Sequence, residues 1–260
     1  MRSRALGWGL SLLIFVVLIV AWKVYVEVSD VSPFVLPPPD DVLAGIGEVL
    51  SDPATWHHVW VTLQEILIGF SLALAFGLVT GALLGEFEVL DRALTPYLVF
   101  LQVLPKVAIV PLLIVWLGFG LSSKIVIAAV FAFFPITVGT RAGLQSVEPG
   151  HRDLARTLQA TRRQQFMLVE WPSALPSILT GMEVGIVLAT IGAVVAEFLA
   201  GSEGLGWLSV AYLNQLQVDL LFGVIVLLSV LGFVLYALVA GLRRLLVPWH
   251  QSVGPVTAGR

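Results

Sequence analysis

The chain has 260 residues, 58% hydrophobic and only 12% charged, with a mean hydropathy of +0.97. A soluble domain carries about 25% charged residues. This chain cannot cover a water-facing surface, so it reads as a polytopic membrane protein. Its net charge of −3 decides little, because charge placement outweighs the sum in such a chain. The lack of cysteine excludes disulfides, thiolate metal sites and Cys nucleophiles.

A membrane span needs about 20 apolar residues. The first candidate covers residues 6–26, after Arg2 and Arg4. Its apolar core is longer than the 7–15 residues usual in a cleaved signal, and bulky Trp22, Lys23 and Tyr25 follow, so it reads as a retained span. The connection after it holds three consecutive prolines in LPPPDDVL, which favour an extended segment. Asp40 or Asp41 is then placed to cap a short helix reaching Leu50. His57 and His58 are adjacent, do not share a helical face, and read as interfacial residues. The second span covers 59–84. The third, within 94–117, contains Pro96, Pro105 and Pro111. Proline removes a helix hydrogen bond and kinks the chain, and broken helices are tolerated at membrane depth where protein or a cavity surrounds them. This span is therefore expected to face the protein interior. The fourth, fifth and sixth spans lie within 124–144, 178–199 and 220–246.

With the N-terminus in the cytoplasm, alternation places Arg2, Arg4, Arg92, Arg141, Arg152, Arg156, Arg162, Arg163, Arg243, Arg244 and Arg260 inside. That is eleven of the fourteen Lys and Arg, as the positive-inside rule requires. Lys124 is the basic exception outside. The expected fold is all-α, with six transmembrane helices and a cytoplasmic helix in the 145–177 loop. The expected division is 1–58 (first span and outer connection), 59–246 (transmembrane domain) and 247–260 (tail).

That loop carries the largest polar feature, DLARTLQATRRQQFMLVEWPSALP at 153–176. It has room for one amphipathic helix. Leu154 and Leu158 share one face, Arg152, Arg156 and Arg163 fall roughly on another, and Asp153 suits the positive end of a helix dipole. Such a segment suits an anionic lipid surface or a groove in a partner protein.

The stretch resembles the EAA loop of ABC importer permeases. That pattern has an acidic-x-Ala triplet, a glycine four residues after the Ala, and a Leu-Pro about twenty residues on. Asp153, Leu154 and Ala155 match the triplet, and Leu175 and Pro176 match the close. Gln159 stands where the glycine belongs, and since Gln disfavours positive φ, either the bend is made differently or the loop is more continuously helical. Further stretches resemble permeases for nitrate, sulfonates and taurine: LPPPDDVL, TLQEILIGFSLALAFGLVTGALLG, LPKVAIVPLLIVWLGFG, FFPITVGTRAGLQSV, WPSALPSILTGMEVG and AEFLAGSEGLGWL. The resemblance spans about 36–246.

It implies a permease subunit in a bacterial inner membrane, with both termini cytoplasmic. A second copy, likewise this chain, would complete a homodimeric pore. Two ATPase subunits would bind ATP and Mg, so the chain itself needs no cofactor, metal or catalytic residue. A periplasmic or lipid-anchored binding protein would deliver a small solute, either a nitrate-, sulfonate- or taurine-like anion or a heterocycle such as a pyrimidine precursor or riboflavin. ATP binding would draw the docked loops together and open the pore outward. The coupling residues would be Asp153, Leu154, Ala155, Arg156, Leu158, Gln159 and Arg162.

Residues for the translocation path are Gln102, Pro105, Lys106, Glu183, Thr190 and Glu197. Ionisable groups at membrane depth mark a path or a buried pair; Glu65 and Glu183 are candidates for interhelical pairing. Gly181, Gly185 and Gly192 read as close-packing positions. GSEGLGWL, at 201–208, reads as a re-entrant turn or outer gate. No nucleic-acid-binding or catalytic motif is present; the competing reading is an ATP-independent secondary transporter or channel, a class often marked by paired broken segments.

Overall fold

The computed structural model describes residues 2–248, apart from the side chains of residues 2–9, 11 and 12. The side chains of the predicted basic positions Arg2 and Arg4, and the tail beyond Pro248 with Arg260, lie outside this description. Every regular element among the described residues is a helix: α1 (Arg2–Val28), α2 (Pro39–Ser51), α3 (Pro53–Glu86), α4 (Glu88–Val103), α5 (Lys106–Leu117), α6 (Leu121–Gln145), α7 (Pro149–Thr157), α8 (Arg162–Gln165), a π-helical turn (Phe166–Glu170), α9 (Trp171–Ala200), α10 (Leu205–Asn214) and α11 (Val218–Leu246). The chain divides into two compact units, one from Met1–Val61 and Glu203–Val230, the other from Thr62–Ser202 and Leu231–Arg260.

In the first unit, α2 begins with Pro39 at its first position and Pro38 as N-cap, without a side-chain cap. Asp40 and Asp41 lie inside the first turn rather than at the cap, where they face the positive end of the helix dipole; Asp40 pairs with Lys23 of α1. A Cβ on Gly45 would sit 2.6 Å from the Asp219 carbonyl oxygen, so glycine lets α2 touch the start of α11. His58 Nδ1 accepts the backbone N–H of Gly204 at 3.1 Å, and His57 lies 3.4 Å from the Glu203 carboxylate. Gly204, at φ +109, turns the 201–204 segment into α10.

The second unit is built on glycine ridges. On α3, Gly69, Gly77, Gly81 and Gly85 leave no room for a Cβ against Ala128, Ile136, Thr140 and Leu144 of α6. Each pair is separated by 59 positions (128 − 69, 136 − 77, 140 − 81, 144 − 85), a constant offset, so α3 and α6 run parallel. On α9, Gly181 meets Pro135 and Gly139, Gly185 meets Ile136, and Gly192 meets Ala128 and Phe131. These numbers fall along α9 as they rise along α6, so α9 is antiparallel to it. Small residues allow this close approach of apolar helices.

Parallel packing of α3 and α6 dictates what lies between them. The chain must return to the other end of α6. Asp91 near the start of α4 accepts hydrogen bonds from Arg141 (2.8 Å) and Gln145 (2.9 Å) at the C-terminal end of α6. Val110 and Ile114 of α5 join the cluster of Ile127 and Phe131 further up that helix. α4 and α5 have 16 and 12 residues and meet at 93°. At 1.5 Å per residue, their end-to-end reach is roughly 30 Å, the thickness of a hydrocarbon core. The pair is one broken span; a re-entrant loop would have made α6 antiparallel to α3.

Counting that pair once, five crossings are long and apolar enough among the described residues: α3, α4–α5, α6, α8 through α9, and α11. Six spans were expected. The first, 6–26, falls on α1, part of whose side chains are outside the description. The break is at Pro105 alone, because Pro96 and Pro111 sit inside α4 and α5. The expectation that this span faces the protein interior fails for the single chain. Tyr97, Phe100 and Val103 are exposed, and burial is confined to Asp91, Val110 and Ile114.

Candidate functional site

The 149–176 segment is not one amphipathic helix: the short α7 ends in a sharp turn, after which α8, the π-turn and α9 run on as the long helix Arg162–Ala200. α7 starts with Pro149, whose fixed φ suits the first helical position. It ends at Thr157 in a Schellman turn: Ala160 N–H donates to Ala155 O (3.0 Å) and Gln159 N–H to Arg156 O (2.9 Å). That turn needs a left-handed residue, and Gln159 supplies it at φ 57. The bend is thus made at the glycine position of the EAA pattern by a left-handed Gln, and the loop is not continuously helical. Thr161 then starts α8 with a capping box, its hydroxyl accepting from Gln164 N–H while Gln164 Oε1 accepts from Thr161 N–H (2.8 Å).

This geometry sorts the coupling candidates. Leu154 and Leu158 are exposed, Leu158 to 72%, and with Leu168 (73% exposed) they flank a cavity of about 460 Å³ that also touches Gln159, Ala160 and Val169. Ala155 is buried in the chain itself; its small side chain lets α7 lie close. Asp153 and Arg156 remain exposed and pair loosely at 3.5 Å, while Arg162 reaches Glu86 at the end of α3 (3.3 Å). Arg163 belongs to α8 and so leaves the stripe expected with Arg152 and Arg156.

The path candidates separate as well. Glu197 is buried and accepts from the Thr62 hydroxyl at 2.7 Å; Glu183 pairs with Arg243 at 3.2 Å; Glu65 pairs with Lys124 at 2.9 Å. Buried charges are expected to be paired in this way. Lys124, the apparent exception to the charge rule, is thereby an interior residue. The Thr190 hydroxyl is turned back onto Ile186 O. Lys106 differs. Pro105 interrupts the helix, so Gln102 O loses the helical backbone partner it would have had, and Lys106 Nζ reaches it instead at 3.4 Å. The same ammonium stands 5.2 Å from the Phe134 ring, within cation–π range. No acidic side chain pairs with it among the described residues. Gln102 also lines a cavity of about 440 Å³ with Pro135, Gly139, Ser177, Thr180 and Gly181.

The glycine series on α3 was visible in the sequence, as small residues at spacings of eight, four and four, but was left unread; only the α9 glycines were singled out. Glu170, buried within the coupling segment, was also missed.

Residues 73–250 match the family described as "binding-protein-dependent transport system inner membrane component". The formylaminopyrimidine transport permease ThiX of Halalkalibacterium halodurans is 35% identical, over 92% of this chain and 95% of its own. The taurine transport permease TauC of Escherichia coli is 30% identical, over 97% of both chains. The inward-facing MetNI methionine ABC transporter superposes on 75% of this chain and 99% of its own with a TM-score of 0.66; at 22% identity this likeness concerns the fold. The ATP-independent alternative is not favoured by these relatives. The chain belongs to the binding-protein-dependent inner membrane permeases, the membrane subunits of ABC importers.

Proposed function

We propose that two copies of this chain line the solute path of an ATP-driven importer in the bacterial inner membrane, with both termini in the cytoplasm. Each copy docks on one ATPase subunit, which binds ATP and Mg. A binding protein on the other side delivers the solute. The observation that carries the docking reading is the α7–α8 corner: rigidly capped on both sides, yet presenting Leu154, Leu158 and Leu168 to water. An exposed apolar cluster on an otherwise polar segment marks a protein contact. Asp153, Arg156 and Gln159 rim that contact. The second copy is supported by the exposed flank of α4–α5. Broken backbone at membrane depth must be enclosed by protein or line a cavity, and among the described residues this flank stays exposed, with Val103, Pro105 and Val107 uncovered.

Two solute classes have specific support. A small anion of the sulfonate or taurine type suits Lys106, an ammonium at membrane depth beside a neutral cavity. A pyrimidine-like heterocycle suits the neutral lining of that cavity, Gln102, Ser177 and Thr180 among it, and the name of the ThiX relative. The test is mild-detergent co-purification of the tagged chain, then ATPase assays in vesicles with the recovered binding protein. An ATPase in near-equal amount supports the docking reading; a chain that purifies alone overturns it. Lys106→Gln should suppress stimulation by an anion and leave stimulation by a heterocycle intact.

A further inference from the structure

Behind the docking corner lies a polar cluster. The helix from Arg162 to Ala200 contains one π-turn, Phe166–Glu170, in which Trp171 N–H bonds to Phe166 O. Such a turn inserts one residue into an α-helix and often marks a functional site. The insertion turns Glu170 inward, to 2% exposure. Its carboxylate accepts from Gln165 Nε2 at 2.9 Å and lies 3.0 Å from Arg152 Nε. Arg152 belongs to α7, and its Nη2 donates at 3.0 Å to Leu144 O, a carbonyl in the last turn of α6. One guanidinium therefore ties the docking helix to the ends of two spans, α6 and the helix that becomes α9.

We infer that the Arg152–Glu170 pair is the positioning link that transmits movement of α7 to the membrane helices, with the π-turn as the compliant joint beside it. The inference rests on the docking reading above. An apolar contact would slide when α7 is pushed. A guanidinium ion-paired to a buried carboxylate and hydrogen-bonded to a backbone carbonyl is held at two points and resists sliding. A buried carboxylate whose partner is removed is costly to leave uncompensated, so the pair holds through the transport cycle. The cavity of about 500 Å³ beside it, lined by Glu86, Asp91, Arg92 and Arg162 as well as this pair, gives the joint room to move.

The test uses the full chain with its ATPase and binding protein in vesicles. Glu170→Gln keeps the acceptor for Gln165 and removes the charge; Arg152→Gln removes the other partner. Each should leave ATPase co-purification unchanged while lowering solute-stimulated hydrolysis by roughly 5–150-fold, the span of ordinary coupling energies. The double variant should be no worse than either single one, since the two residues act as a unit. Arg152→Lys, which keeps the charge and loses the fork, should fall between, and it carries the test if a neutral variant does not fold. Unchanged stimulation, additive losses, or loss of the ATPase from the purified complex would each overturn the link. A wild-type chain that recovers no ATPase would instead overturn the docking reading.

Discussion

Replacing Gln159 by glycine should tighten the coupling corner. Gln159 holds φ 57 as the left-handed residue of the Schellman turn. An L-residue in that conformation costs roughly 1–2 kcal/mol. Glycine removes this cost but loses more backbone freedom on folding, about 0.5–1 kcal/mol. The Gln159 side chain is exposed and has no hydrogen-bond partner to forfeit among the described residues. The net gain is then about 0.5–1 kcal/mol, or roughly 2–5-fold in the local opening constant. The amides to watch are Gln159 N–H and Ala160 N–H, which bond to Arg156 O and Ala155 O. Their hydrogen exchange should slow by that factor in Gln159→Gly and quicken in Gln159→Val, whose branched Cβ fits the left-handed region worst. Exchange that is unchanged or faster in the glycine variant would show that the turn does not place this residue left-handed.

Other perturbations probe other parts of the molecule. Leu158→Asp, at a side chain 72% exposed, should leave the thermal unfolding of the purified chain within about 0.5 kcal/mol of wild type while abolishing ATPase co-purification; retained co-purification would refute the docking role. Gly81→Val places atoms where a Cβ already comes within 2.7 Å of Thr137 O, and overpacking of this kind should cost about 1–3 kcal/mol in unfolding assays. Lys124→Met leaves Glu65 buried beside an apolar side chain and should cost about 3–5 kcal/mol, with most of the loss recovered in the double variant Lys124→Met, Glu65→Leu.

The spans and the coupling loop were legible in the sequence because they depend on composition and local pattern. Long apolar runs announce α3, α6, α9 and α11, and the three prolines of 94–117 announce a break without showing that it falls at Pro105 alone. The turn at Gln159 was not legible, since its conformation is held by hydrogen bonds on both sides that override a local preference. The three pairings Glu65–Lys124, Glu183–Arg243 and Arg152–Glu170 join residues 59, 60 and 18 positions apart. No local pattern specifies such partners, and only the helix register brings them together. Among the path candidates, Glu197 and Glu183 looked alike to Lys106 by composition; the fold separates them by giving each a partner.

The same register explains why a push on a small corner can move a large body. The α3–α6 and α6–α9 contacts run along most of their length at backbone-to-backbone distance, with Gly139 and Gly181 against each other. Packing this close has no slack, because interiors are dense and resist small displacements. Three helices locked in this way move together or not at all. The charged cluster at their common end is different in kind. Arg162–Glu86 ties the corner to α3 and Arg141–Asp91 ties α6 to the start of α4, each through a side chain that can rotate or re-pair, while the buried Arg152–Glu170 pair holds α7 to the π-turn. A displacement at α7 would therefore be carried through the Arg152–Glu170 pair, with the outer pairs re-forming around it, and passed upward as rotation of a rigid three-helix body. Outside that body, α4–α5 is hinged at Pro105 and bound to it at Asp91 below and at Val110 and Ile114 above. Relative motion between body and strap would change the surroundings of Lys106, which sits on the hinge itself.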